Sequence, residues 1–302
     1  MDNPTLILSS FAKINWSLRV LGKREDGYHD VSTVLQTISL ADELHITSRN
    51  DDRFVLTCTD PAIPTNDENL VIQAGLLLRE NIGGRSGADI ELIKHIPSQA
   101  GLGGASSNAA AAILAFTHLW KIDNVDLVGI ASRIGSDVPF FLTGGRALGE
   151  GTGTTITPLT DCETKYLIIV SPTVRVSTAD AYRAMDARSL TSLRSDPILT
   201  VSFAEPVSSD CDLSALHNDF EAVIFEIEPE IERAKTALLK SGADRALLAG
   251  SGSSVFGIFA NIDARQNALE RLESEPGWRV HPCETLARNE YLARIGVSQS
   301  RL

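Results

Sequence analysis

The chain has 302 residues, 43% of them hydrophobic, and a formal net charge of −12. This suffices to bury a core in one large domain or two ordinary ones, and it argues against a nucleic-acid surface, which needs clustered Lys and Arg. No run approaches 18 consecutive apolar residues, so no membrane span is expected, and the start, MDNPTLILSS, lacks the basic opening of a signal peptide.

Residues 5–21 are rich in β-branched and apolar side chains and read as strand, turn, strand. Residues 31–48 read as two further strands around a turn at 40–43. A helix is expected over 66–80, with Thr65 or Asn66 as its cap and Leu70, Ala74, Leu77 and Leu78 on one face. A strand over 88–96 feeds the stretch IPSQAGLGGASSNAAAAILAF, whose helix, over 107–120, is apolar almost all round and so buried. A short helix at 125–134 and strands at 146–148 and 154–158 follow. Polar residues at 158–165 mark a boundary, dividing the chain into 1–160 and 161–302. Beyond it come a strand at 166–171, a helix carrying Tyr182 that Ser177 or Thr178 can cap, and a helix opened by Pro229 and closed by Gly242. Strands at 245–249 and 255–260 flank the loop GSGSS. A helix at 263–274 and a strand at 278–281 complete a small α/β sandwich.

Four pieces of this sequence carry chemistry. In the first, Gly101, Gly103 and Gly104 precede Ser106 and Ser107 at a helix start. Glycines permit close backbone approach, and a helix N-terminus offers free N–H groups and partial positive charge, a combination that suits phosphate. It is neither a Walker loop, because no Lys-Ser/Thr follows, nor a dinucleotide fingerprint. A tight turn with capping serines is the alternative. The second is GSDVPFFLTGG, where an apolar run beside Asp137 partly desolvates a carboxylate and suits it to act as a base. An ordinary helix-end aspartate is the alternative there. In the third, FAKINWSLRVLGKREDGYHD, Lys13 lies inside an apolar strand and needs an anionic partner, unless its stem packs and its head reaches water. The same piece presents Tyr28 and His29 together at a turn. The fourth, LLAGSGSSVFGIF, is a second glycine-serine loop between apolar strands.

These pieces occur in the order Lys13 with Asn15, then Pro97 to Asn108, then Gly135 to Phe141, then Gly250 to Ser254, with NDFE at 218–221 between the last two. The chain thereby resembles the GHMP kinases over nearly its whole length. Within them it is most like the branch acting on a methylerythritol linked to cytidine diphosphate. The resemblance implies an α+β, two-domain fold, with a ribosomal-protein-S5-like ATP-binding domain followed by a ferredoxin-like sandwich on the substrate side. It implies transfer of the ATP γ-phosphoryl group to the 2-hydroxyl of the methylerythritol moiety, with Mg²⁺ neutralising phosphate charge. Asp137 would accept the hydroxyl proton, and Lys13 would keep it ionised. Nucleotide binding would fall to Asn69, Lys94 and Pro97 and to the loop of Gly101, Leu102, Gly103, Gly104, Ser106, Ser107 and Asn108, with Ser107 touching Mg²⁺. Substrate would meet Asn15, Thr178 and Asp137, and its cytosine would meet Tyr28, His29 and Tyr182. Ala100 and Ala105 stand where that branch often carries glycine, which predicts a slightly altered loop.

Kinases of mevalonate or homoserine type are the alternative substrates, but neither would use a nucleobase platform. A non-catalytic nucleotide sensor would have lost Lys13 or Asp137. The four cysteines, Cys58, Cys162, Cys211 and Cys283, have no C-x-x-C spacing, and the six histidines have no paired metal spacing. A reduced, cytoplasmic, zinc-free protein is expected, working on small molecules as a monomer or weak homodimer.

Overall fold

Two long strands stand where four short ones were expected. In the computed structural model, which describes residues 4–82, 84, 86–192 and 212–295, β1 (Thr5–Lys23) and β2 (His29–Arg49) pair antiparallel along almost their whole length. Their register shifts between Phe11 and Lys13, between Asn15 and Ser17, and between Val20 and Gly22. Each shift breaks the alternation of faces, and a bulged strand then reads like a strand interrupted by a turn.

The remaining elements follow in chain order. β3 (Phe54–Cys58), α1 (Leu70–Ile82), β4 (Gly87–Ile93), α2 (Gly104–Leu119), α3 (Leu127–Ile134), α4 (Val138–Thr143), β5 (Arg146–Glu150) and β6 (Thr155–Pro158) complete the first half. β7 (Tyr166–Pro172), α5 (Thr178–Ser192), β8 (His217–Asn218), α6 (Glu221–Ile227), α7 (Pro229–Lys240), β9 (Arg245–Leu248), β10 (Val255–Phe259), α8 (Ile262–Leu272), β11 (Trp278–Glu284) and α9 (Arg288–Arg294) make up the second. α1 starts four residues later than expected, because Asn69 rather than Asn66 caps it: the Asn69 side chain accepts from Val71 N–H at 2.9 Å.

A seven-stranded sheet runs β3-β4-β2-β1-β8, with β5 on β2 and β6 on β5; a four-stranded sheet runs β11-β7-β10-β9. The chain thus forms four layers. Leu167 and Ile169 of β7, with Phe256 and Ile258 of β10, pack between the sheets against Ala12, Ile14 and Trp16. The alternate residues Ile168, Val170, Val255 and Phe259 pack outward against α7 and α8. On the far side, α1, α2 and α4 cover the larger sheet around Phe116, Phe140 and Phe141. A strand buried on both faces needs an unbroken apolar run, as β7 supplies (YLIIVSP).

The second half also reaches back into the first. β8 pairs in parallel with β1 at Ser17 and Leu18. The Tyr291 ring of α9 is 3% exposed and lies 5.7 Å from the Phe11 ring, with its hydroxyl donating to the Phe141 carbonyl. Among the described residues, no helix is long and apolar enough to cross a membrane, and no cluster of three or more His, Cys, Asp or Glu residues could hold a metal ion. Cys58 and Cys283 carry free thiols, whereas Cys162 is disulfide-bonded, against the expectation of four reduced cysteines; Cys211 lies outside the described residues.

Candidate active site

The glycine loop is positioned by the strand beside it. Lys13 N–H of β1 donates to the Leu102 carbonyl at 2.9 Å, so the loop is laid directly along the strand that carries the lysine. Gly101 and Gly103 both adopt positive φ, +76° and +71°, where a side chain is strained. A side chain on Gly101 would overlap the Ala249 carbonyl, so this loop meets the second glycine loop backbone to backbone. Ser254 N–H closes that contact on the Ala100 carbonyl at 3.2 Å. Ala100 and Ala105 take no positive φ, so neither backbone is strained by carrying a side chain.

α2 begins at Gly104, three residues earlier than expected, and no side chain caps it. Its first N–H groups are therefore unbonded within the helix and face the loop. The Lys94 ammonium lies 3.3 Å from where a Gly104 side chain would begin. It is held there by Asp42, a buried carboxylate that also accepts His95 and Ile96 N–H at 2.7 and 2.8 Å. Two cations and a helix N-terminus thus converge on one place, which favours a polyanion such as a phosphate chain.

The second cation is Lys13, whose side chain is 5% exposed. Its ammonium stands 3.5 Å from Asp137 Oδ2 and donates to Asn15 Oδ1 at 2.8 Å. Asn15 Nδ2 donates to Thr33 Oγ1 at 2.7 Å, and Thr33 Oγ1 to the Ser17 carbonyl at 2.7 Å. The whole chain of contacts is anchored in the paired strands β1 and β2. Asp137 occupies the N-cap position of α4, yet its side chain caps nothing and remains 34% exposed. It stands at the helix end that the sequence also allows, but no capping bond occupies its oxygens.

These groups line one cavity of about 520 Å³. It includes Lys13, Asn15 and Asp137 on one side and Asn69, Lys94 and Pro97 on the other. The loop residues 101–104, Ser106 and Asn108 form its floor, and Thr178 and Tyr182 its far wall. Ser251, from the second glycine-serine loop, also lines it, as do Arg175 and Glu68, which no sequence motif marked. Three expected residues stand outside. Ser107 is 2% exposed and its hydroxyl accepts from Ser10 at 2.9 Å, because one residue's turn of α2 carries it into the sheet-facing side. Tyr28 is 67% exposed on a tight turn whose backbone closes through Arg24 N–H on the Tyr28 carbonyl at 2.7 Å. His29 sits just beyond the rim, on the same strand face as the lining residues Val31 and Thr33, and stacks on Tyr182 with ring centroids 4.6 Å apart. Burial, and then the charge of Asp137, push the Tyr182 phenol above its ordinary pKa.

Asn218, from the NDFE stretch, is the structural link that sequence reading left without a role. Its amide donates to the Leu248 and Gly250 carbonyls at 2.9 and 2.8 Å and accepts from Phe220 N–H at 2.9 Å. It thereby fixes the loop that the glycine loop leans on.

With this geometry in place, the comparisons with known proteins decide the family. The model of the GHMP kinases N terminal domain matches residues 69–145, and that of the GHMP kinases C terminal matches residues 202–277. A protein of Solibacter usitatus named 4-diphosphocytidyl-2-C-methyl-D-erythritol kinase is 38% identical over 292 residues, covering 95% of this chain and 90% of that protein. The chain belongs to the GHMP kinase family. It has the family's two-domain fold and is an ATP-dependent small-molecule kinase by descent. A crystal structure of 4-(cytidine 5'-diphospho)-2C-methyl-D-erythritol kinase matches with a TM-score of 0.75 at 32% identity, covering 93% of this chain and 99% of that one. A homoserine kinase from Cytophaga hutchinsonii matches with a TM-score of 0.68 at 18% identity, covering 95% and 96%, a likeness of fold alone.

Proposed function

We propose that this kinase transfers the γ-phosphoryl group of ATP to the 2-hydroxyl of 4-diphosphocytidyl-2-C-methyl-D-erythritol, a step of the non-mevalonate route to isoprenoid precursors. The observation that carries the reading is the meeting, in one cavity, of the Lys13–Asp137 pair, the open N-terminus of α2 and the aromatic wall at Tyr182. Relatives that are 37–38% identical over most of the chain carry the name of that activity.

Phosphoryl transfer asks the protein for alignment and charge stabilisation more than for covalent chemistry. The N–H groups opening α2, with Lys94 beside them, hold the phosphate chain of ATP. Mg²⁺ bound with the nucleotide supplies further neutralisation of that chain. The half-buried Ser106 hydroxyl lines the cavity and would meet the ion, in place of Ser107, whose hydroxyl is turned away toward Ser10. Asn69 and Pro97 border the nucleoside end. Asp137 accepts the proton of the attacking hydroxyl as the oxygen–phosphorus bond forms and the bond to ADP breaks. Lys13, held by Asn15, gives Asp137 a positive partner and faces the same place as the moving phosphoryl group. Asn15 and Thr178 border the acceptor, and Tyr182, with His29 behind it, offers a surface for the cytosine. The turn bearing Tyr28 adds an exposed ring that can cover the base from outside.

The test is a phosphorylation assay with ATP and Mg²⁺ against the cytidine diphosphate substrate, mevalonate, phosphomevalonate and homoserine. Turnover confined to the first is expected. Preference for a substrate without a nucleobase would overturn the reading in favour of another kinase of the family.

A further inference from the structure

Asp186 lies on α5 one helical turn beyond Tyr182, so the two side chains share a face. Both close on His29 of β2. The Tyr182 ring stacks on the imidazole, at 4.6 Å between centroids and 22° between planes. Asp186 Oδ1 is 2.7 Å from His29 Nε2, and its other oxygen, Oδ2, takes the Lys23 ammonium at 2.6 Å. The His29 side chain is 8% exposed, so these contacts hold the ring on one face and one edge.

A carboxylate only accepts hydrogen bonds. Contact with Asp186 therefore keeps the proton of a neutral His29 on Nε2 and leaves Nδ1 as a bare acceptor. An acceptor there pairs with an amine on a base edge and is repelled by a carbonyl. Cytosine and uracil differ at this point, since one carries an exocyclic amine and the other an oxygen. A base bonded edge-on to the imidazole also lies in the imidazole's plane, and so continues the same stack on Tyr182.

We propose that Asp186 is a positioning residue for substrate choice: by holding His29 in the Nε2–H form, it makes the site select a 4-amino pyrimidine over a 4-oxo one. The proposal rests on the reading that His29 faces the substrate's base.

The test uses the full-length protein and separates the two ideas. Imidazole nitrogen NMR shifts of His29 in the wild-type protein report its tautomer without any substrate. A proton on Nε2 is expected; a proton on Nδ1 in the neutral ring overturns the proposal. Asp186→Asn then reverses the bond. Lys23 claims the amide oxygen, the amide N–H turns to Nε2, and the His29 proton moves to Nδ1. The ratio of kcat/KM for the cytidine substrate over its uridine counterpart should fall by about 10- to 100-fold, the cost of one mismatched buried hydrogen bond. Asp186→Glu keeps an acceptor and should restore most of the preference. A tautomer that reverses while the ratio stays put overturns the proposal. Should Asp186→Asn fold poorly, Lys23→Met/Asp186→Glu and the wild-type shifts still decide the tautomer. A wild-type protein with the expected tautomer that ignores cytidine substrates altogether refutes the functional reading instead, and the proposal with it.

Discussion

At the scale of single residues, the site is a short list of charges with assigned neighbours. Asp137 lines the cavity 3.5 Å from the Lys13 ammonium, and it makes no capping bond that a substitution would break. Asp137→Asn should therefore lower kcat by roughly 10²–10⁴-fold while ATP affinity, read by calorimetric titration, changes little. Near-normal turnover would remove Asp137 from the chemistry. Lys13→Met should also act on turnover, but at some cost in stability, since its ammonium satisfies Asn15 at 2.8 Å in a buried setting. Both residues were legible in the sequence because each broke a local rule: a lysine in an apolar strand and an aspartate against an apolar run. Thr33 and Asp42 were not legible. A threonine in a strand breaks no rule, and Asp42 fell where a turn was expected, a natural home for aspartate. In the structure Asp42 is 1% exposed and accounts for the placement of Lys94.

At the scale of elements, β7, α7, β9, β10, α8 and β11 were readable to within a few residues, because each follows one period without interruption, whereas the short elements β8, α6 and α9 were not anticipated. The first strands were not so readable, because their bulges break the alternation that sequence reading depends on. The start of α2 was missed for a related reason. Gly104 and Ala105 look like loop, but the helix begins there since the loop's last left-handed residue is Gly103. This sharpens the expectation for Gly103→Val. A side chain at that position would begin 2.8 Å from the Phe141 ring and 3.0 Å from Lys13 Cγ, on a backbone with φ +71°. The change should raise KM for ATP more than about 10-fold. Because it also pushes on Lys13, kcat should fall with it. A rise in KM with kcat intact would mean that the loop yields without moving Lys13. Asn218→Ala probes the other loop. It strips the Leu248 and Gly250 carbonyls of their donor, which should cost roughly 1–3 kcal/mol in denaturant unfolding. ATP affinity should weaken as well, because the glycine loop leans on the freed segment. Unchanged ATP affinity in a destabilised variant would confine Asn218 to folding.

At the scale of the whole molecule, the division at 160/161 read from the sequence marks a change of sheet, yet the described contacts cross it in both directions. β8 extends the larger sheet at β1, Leu286 N–H donates to the Thr37 carbonyl at 2.9 Å, and Tyr291 is buried among Phe11, Phe141 and the space left by Gly144. The cavity likewise draws its floor from the first half and Thr178, Tyr182 and Gly250 from the second. A fragment of residues 1–160 would lose all of these. Emptying the Tyr291 site alone is comparable to truncating a large buried aromatic, roughly 3–5 kcal/mol, against a total stability of about 5–15 kcal/mol for an ordinary domain. The fragment also exposes the inter-sheet face of Ala12, Ile14, Trp16 and Ile38, which the four-stranded sheet otherwise covers. Expressed alone, it should therefore lack a cooperative thermal transition, and the full chain should unfold in one calorimetric step rather than two. ATP should raise the midpoint of that single step, because binding anywhere in the cavity engages both halves. Two separate transitions, one reproduced by the isolated fragment, would show instead that the halves are independent and that the cavity forms only when they dock.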